Sequence, residues 1–341
     1  MKNLKKNSIL LLLITAVVIA FVLKDDFPSI MESLVKSDLK FLLIALVVYA
    51  IGLMFEAKAY QEIIEEYNHS YTFLQAYKML IITKFFNGIT PFSSGGQPMQ
   101  VYLLKKDGIR ITKATNIIIQ NFIMYQAALV SVGIFAVLVN HFNPIFKEVT
   151  LLKHLVKVGF IMNTLVMIGL IIISISSKFN HFILIKTIWL LDKLHVIKGK
   201  DKVLARWEER VTDFHEGTDY LRRNPMLCLR TYLYNIIYLV LIYSMPFFVV
   251  LGLNHGHAGD ATILKVIVAN AYVSIMGAFV PIPGASGGIE FGYFKFFGNF
   301  IKGPLLKASL LIWRTISYYI PMIVGGILFN THMKRVEKEC E

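Results

Sequence analysis

Long blocks of apolar residues, each close to the width of a lipid bilayer, limit what this chain can fold into more than any other feature. An α-helix rises about 1.5 Å per residue, so roughly 20 apolar residues cross the hydrocarbon core. Blocks that reach or approach this length run from Ser8 to Leu23, Leu39 to Tyr60, Thr115 to Val139, Leu155 to Ser176, Thr231 to Leu251 and Leu305 to Phe329. Hydrophobic residues make up 56% of the 341 positions and charged ones 17%, against about 25% charged in soluble domains. A water-soluble core could not hide so much apolar surface, so lipid is the expected solvent.

The first block follows Lys2, Lys5 and Lys6, as a signal peptide would, but no small-residue cleavage site follows it. It is expected to remain as an uncleaved first span. Positive charge then sets the orientation. The N-terminus, the stretch holding Lys105, Lys106, Arg110 and Lys113, the loop 177–230 and the tail holding Lys334, Arg335 and Lys338 are all basic. Six crossings put every one of them on the cytoplasmic side, with both termini inside. The basic loop contains Phe179 to Leu194, apolar but broken by Lys186, Asp192 and Lys193. This segment reads either as an amphipathic helix in the interface, anchored by Trp189, or as a helix packed on neighbouring loops. The net charge of +13 suits cytoplasmic loops and anionic lipid, and no separate basic domain points to nucleic acid.

Two further regions, 73–104 and 261–300, are apolar yet interrupted by Gly and Pro. Each contains Pro-x-x-Ser-Gly-Gly: Pro91, Ser94, Gly95 and Gly96 in the first, Pro283, Ser286, Gly287 and Gly288 in the second. This recurrence suggests two related halves, about 1–140 and 150–330, within one transmembrane domain. On the charge-derived topology the first region begins and ends inside and the second outside. Two equivalent hairpins entering from opposite faces are what an inverted-topology repeat produces. The expected fold is therefore an all-α polytopic membrane bundle, with six full spans plus two re-entrant helical hairpins. Ordinary loops, or two full crossings in each region, remain alternatives at this level.

Proline ends a helix, and Ser-Gly-Gly permits a sharp reversal that bares backbone N–H groups at the start of the next helix. Such a terminus favours an anion. Ionisable residues at membrane depth are costly and usually face a cavity or a partner. Arg314 stands in the last span with Tyr318 one helical turn on, Glu290 follows the second Ser-Gly-Gly, Lys84 precedes the first turn, and Gln97 follows it. Either Arg314 and Lys84 hold an anionic headgroup with Glu290 pairing Arg314 or coupling to a proton, or Arg314 and Glu290 form a structural bridge. Glu56 and Lys58, late in the second block, are expected to snorkel to the interface. His255 and His257 read as a solvated loop, and Cys228 and Cys340 carry no expected role. With no P-loop, nucleophile elbow, zinc-protease motif or dinucleotide fingerprint, no catalytic residue, metal or cofactor is expected.

Thr90-Pro-Phe-Ser-Ser-Gly-Gly-Gln-Pro-Met-Gln-Val-Tyr102, Pro281-Ile-Pro-Gly-Ala-Ser-Gly-Gly-Ile-Glu290 and Trp313-Arg314 with Tyr318-Tyr319 resemble the lysylphosphatidylglycerol synthase transmembrane family, also called flippase-like or UPF0104, in its Gram-positive branch. Many members carry an acidic residue near the position of Gln97-Pro98, which this chain lacks. The family's best-known members make and translocate lysylphosphatidylglycerol, a modification that repels cationic antimicrobial peptides. Their aminoacyl transfer occurs in a C-terminal soluble domain, and this sequence ends shortly after its last span. The resemblance thus implies the lipid-handling half: a transporter or flippase in the bacterial cell membrane for an aminoacylated phosphatidylglycerol or a polyprenyl-phosphate lipid. It leaves open a phosphatidylglycerol lysyltransferase activity, or a scaffold for a lipid-synthesis enzyme. The substrate-binding residues implied are Lys84, Pro91, Ser94, Gly95, Gly96, Gln97, Pro283, Ser286, Gly287, Gly288, Glu290, Arg314 and Tyr318.

Overall fold

Four helices carry long apolar blocks in the computed structural model: α2 (Leu39–Glu65), α5 (Ile111–Phe142), α7 (Pro225–Leu253) and a composite helix over Gly303–His332. The last consists of α10 (Gly303–Arg314), one π turn (Thr315–Tyr319) and α11 (Ile320–Glu339). Shorter apolar helices are α6 (Thr150–Ile175), with its apolar stretch at Val156–Ile172, and α8 (Ile263–Gly277). Three more, α1 (Phe27–Val35), α4 (Gly96–Lys106) and α9 (Gly288–Phe297), complete the described set. The structure describes residues 27–146, 150–176, 224–277, 280 and 282–339, together with 182, 185–187 and 189. The block Ser8–Leu23, most of the loop 177–230 and most of the expected amphipathic helix Phe179–Leu194 lie outside them. Among the described residues there is no β-strand, and the chain is an all-α, multi-pass membrane protein.

The bundle is apolar outside and polar within. Leu43, Val47, Leu165, Ile168, Ile323 and Ile327 are exposed on its flank, whereas Asn116, Gln120, Asn121, Gln126, Asn163 and Asn235 are buried. That inversion of the water-soluble pattern is stable only where hydrocarbon surrounds the flank.

Both broken regions fold as helical hairpins. In the first, α3 (Phe73–Ile89) starts at a capping box, with Gln75 N–H donating to Thr72 Oγ1 and Thr72 N–H to Gln75 Oε1. It turns at a 3₁₀ segment over Pro91–Ser93 and returns as α4, so that Asp107 interacts with Tyr71 at the base. In the second, Lys265 N–H donates to Thr262 Oγ1 at the start of α8, the turn is Pro283–Ala285, and α9 returns antiparallel. Tyr272 meets Phe296 there, and Met276 packs where Gly292 has no side chain. The return arms have 11 and 10 residues, roughly 15 Å each, about half of what a crossing needs.

The two halves are related by inversion. Asp38 N–H, at the start of α2, donates to Gly252 O at the end of α7, and Arg230 near the start of α7 pairs with Glu62 near the end of α2 at 3.0 Å. The equivalent spans α2 and α7 are therefore antiparallel, and the hairpins that follow them enter from opposite sides. The turns carry the same unusual backbone, with Phe92 and Ser93 at φ 54° and 52° and Gly284 and Ala285 at φ 64° and 51°. Ser94 and Ser286 hydroxyls close both turns on the Pro91 and Pro283 carbonyls. Ile111 follows Pro91 by the same interval that separates Gly303 from Pro283.

Each hairpin packs on the final span of the other half. Gly325 of α11 lies so close to α3 that a Cβ would stand 2.3 Å from Ile81 O. Its counterpart in α5, Gly133, lies against α8, where a Cβ would stand 3.2 Å from Ile275 Cδ1. Small residues at helix crossings let backbones approach where lipid gives no hydrophobic drive for association.

Cysteine labelling checks the inverted hairpins. In a variant without Cys228 and Cys340, His69→Cys and Lys105→Cys are expected to react from one side of sealed vesicles, and His257→Cys and Lys302→Cys from the other. Opposite-side reactivity within either pair would mean that the hairpin crosses.

Candidate functional site

The tips of the two hairpins meet in the middle of the bundle, and most of the buried charge gathers around them. Gly284 lies against Tyr318, where a Cβ would stand 2.2 Å from the hydroxyl, and its φ of +64° already favours glycine. The Tyr318 hydroxyl donates to Gly88 O at 3.0 Å, at the end of α3, so one side chain from the last span touches both tips.

Arg314 organises the second tip. Its Nε stands 2.9 Å from Glu290 Oε1, its Nη2 donates to Gly284 O at 3.1 Å and reaches Ser286 Oγ at 3.5 Å, and its guanidinium lies 4.3 Å from the centre of the Tyr318 ring. Glu290 Oε2 accepts from Gly287 N–H at 2.6 Å. The sequence-based expectation that both Ser-Gly-Gly turns bare their amides is thus corrected at the first glycine of each: the Glu290 carboxylate caps Gly287 N–H, and Thr90 Oγ1 accepts from Gly95 N–H. Arg314 and Glu290 side chains are 6% and 7% exposed, a depth at which an unmatched charge is not sustained. Nη1 has no partner among the described residues, which leaves one edge of the guanidinium for a ligand.

The π turn follows Arg314 directly. A π turn widens the helix and displaces one carbonyl from its usual partner. Here the Tyr49 hydroxyl of α2 donates to Ser317 O at 3.0 Å. The widened turn also lets Tyr318 lie over the guanidinium while reaching Gly88.

A second, partly buried pair sits on the first half. Lys84 Nζ is 2.7 Å from Glu56 Oε2 and 3.3 Å from the Tyr238 hydroxyl, with the Tyr238 ring 5.4 Å away. Glu56 was expected to snorkel; it instead faces inward, because Lys84 in the neighbouring helix gives it a partner there. Lys58 behaves as expected of a half-exposed cation, pairing with Glu62 at 3.4 Å.

Between the pairs and the tips lies a cavity of about 550 Å³. Of the residues expected from sequence to bind substrate, Lys84, Gln97, Arg314, Tyr318 line it, joined at the tips by Phe92, Ser93, Gly284 and Ala285. Pro91, Ser94, Gly95, Gly96, Pro283, Ser286, Gly287, Gly288 and Glu290 are not part of that lining. They shape the turns: Gly95 N–H donates to Thr90 Oγ1 at 2.8 Å, and Gly96 packs where a Cβ would strike Asn87. Sequence reasoning passed over the carboxamides and phenols that complete the wall, namely Gln100, Asn121, Gln126, Asn163, Asn235 and Tyr60. Their signal was available as Asn and Gln inside apolar spans, where each costs free energy unless matched.

Comparison with known proteins agrees with this architecture. The family described as lysylphosphatidylglycerol synthase TM region matches residues 8–325. A UPF0104 membrane protein of Archaeoglobus fulgidus is 23% identical over 270 residues, 76% of each chain. Another UPF0104 membrane protein, from Pyrococcus horikoshii, is 22% identical over 308 residues, 88% of this chain and 90% of that one.

Glu290→Gln and Arg314→Leu are each expected to destabilise the protein by about 3–5 kcal/mol, because each leaves a buried charge unmatched. The Arg314→Leu/Glu290→Leu double variant should lose clearly less than the sum, and Tyr318→Phe about 1 kcal/mol. Denaturation midpoints in detergent measure all of these.

Proposed function

Because the chain belongs to the lysylphosphatidylglycerol synthase transmembrane family, and because its opposed hairpins meet over a polar cavity, we propose that it moves a membrane lipid with an anionic headgroup between leaflets. The observation that carries this reading is the cavity itself: a water-compatible space about 550 Å³ in volume inside a bundle with an apolar flank. A phosphate entering it meets the free edge of Arg314 and the remaining donor of Lys84, two charge-assisted contacts in a low-dielectric site. Acyl or polyprenyl chains stay in the hydrocarbon while the headgroup crosses.

The inverted hairpins supply a route to alternate access. The two tips meet at the cavity from opposed hairpins, so rocking one hairpin with the span it packs against would open one face at a time. The positive charge at Lys105, Lys106, Arg110 and Lys113 supports placing the base of the first hairpin at the cytoplasmic face of a bacterial cell membrane, with both termini on that side. Aminoacylated phosphatidylglycerol and polyprenyl-phosphate lipids both carry the required anion.

Transport is measured with a fluorescent anionic lipid in proteoliposomes, using a membrane-impermeant reductant that bleaches only the outer leaflet. The wild type is expected to expose the inner pool to bleaching, and Arg314→Lys, which keeps charge but loses the planar fork, to slow this about tenfold or more. Protection of the inner pool for every anionic lipid tried, with correctly folded protein, would sink the proposal.

A further inference from the structure

Two carboxylates accompany the two cations at the cavity, and they are engaged to different degrees. Glu290 uses both oxygens, Oε1 on Arg314 Nε and Oε2 on Gly287 N–H, so the second tip is built on its negative charge. Glu56 uses one. Its Oε2 accepts from Lys84 Nζ at 2.7 Å, whereas Oε1 makes no hydrogen bond among the described residues and retains accessible surface. Glu56 lines the cavity, and its side chain is 12% exposed.

The other ionisable groups around Glu56 come from each helix packed on it. Lys84 approaches from α3, Tyr238 from α7 and Tyr125 from α5, with Tyr49 and Tyr60 on α2 itself. The last span touches α2 at its π turn, where Tyr49 meets the Ser317 carbonyl, and the Arg314 just before it is held by Glu290. Lys58, Glu62 and Arg230 bridge one another further along α2. Phenols, Lys and Arg all keep their protons near neutral pH. In this cluster of described residues, Glu56 is therefore the group able to gain a proton without undoing a turn.

Charge then decides what the cavity can hold. With Lys84 and Arg314 each matched by a carboxylate, the two pairs sum to zero. A singly charged phosphodiester entering alone leaves one negative charge unmatched in a low-dielectric space, which is strongly unfavourable. A proton on Glu56 restores neutrality and releases the Lys84 ammonium to face the phosphate. Loading with the anion alone or the proton alone leaves a net charge, so the empty and the doubly loaded forms are the favoured ones.

Resting on the reading of this cavity as an anionic headgroup site, we propose that the protein is a proton–anion symporter in which Glu56 carries the proton. The anion and the proton enter and leave together, and no bond of the lipid is broken. Movement of the lipid is electroneutral, and a pH gradient draws it into the leaflet facing the more alkaline side. Lys84 passes from Glu56 to the phosphate and back in each cycle, while the Arg314–Glu290 pair stays intact as part of the second tip.

Proton uptake on binding tests this in the purified wild-type protein, in weakly buffered detergent with a pH-indicator dye. Short-chain phosphatidylglycerol is the probe, because its phosphodiester keeps a single charge at neutral pH. About one proton is expected to be taken up per lipid bound, and the affinity to fall by up to about tenfold per unit rise in pH. Glu56→Gln, neutral and of similar shape, should bind with pH-independent affinity and no proton uptake. In phosphatidylcholine vesicles clamped at zero membrane potential, a gradient of about one pH unit should enrich fluorescent phosphatidylglycerol on the alkaline side by up to about tenfold. With Glu56→Gln the lipid should stay evenly distributed. Binding without proton uptake, or even distribution across the gradient with the wild type, would overturn the symport and leave lipid transport standing. Failure of every anionic lipid to bind or move would overturn the transport reading, and the symport with it. Should Glu56→Gln fail to fold, the wild-type proton uptake decides by itself.

Discussion

A helix that breaks at membrane depth leaves backbone groups that hydrocarbon cannot satisfy, so the protein must satisfy them itself. Everything around the two tips follows from that requirement. Thr90 and Ser94 side chains close the first turn on itself. Ser286, Glu290 and Arg314 do the same for the second, with Arg314 taking Gly284 O and Glu290 taking Gly287 N–H. Tyr318 bonds Gly88 O across the gap. The buried ion pair is thus also backbone solvent: it replaces water for a turn that water reaches poorly.

The two halves solve one backbone problem with different chemistry. The φ angles of the turns match, yet the first is closed by neutral hydroxyls and the second by a carboxylate and a guanidinium. The first half keeps its charge further back, on Lys84 and Glu56. This asymmetry concentrates guanidinium and aromatic surface on one tip while the other presents Phe92 and Ser93, so the cavity has distinct ends despite the repeated fold.

Much of the scaffold was legible from sequence because hydrocarbon imposes simple rules. Uncharged length marked the spans, and Pro-x-x-Ser-Gly-Gly marked both turns, since only proline and glycine act so sharply on the backbone. Arg314, Glu290 and Lys84 stood out because charge inside an apolar block is expensive. The binding wall was harder to read. Glu56 sits where an interfacial residue would, and its inward turn depends on Lys84 from another helix. Gly287 looked like an open amide, and only the fold brings Glu290 Oε2 to 2.6 Å from it. The carboxamides were passed over because their importance comes from converging on one space, and convergence between α3, α5 and α7 is a three-dimensional fact.

The close crossings at Gly325 and Gly133 bear on how the molecule is made. Each hairpin leaves the ribosome well before, or well after, the helix with the notch that receives it: α3 precedes α11 by most of the chain, while α8 finds α5 already in place. During synthesis the second hairpin can dock at once, whereas the first must wait in the bilayer with its groove unfilled until the final helix is inserted. The order of translation therefore makes the C-terminal span a lock, and the first tip takes its final form last.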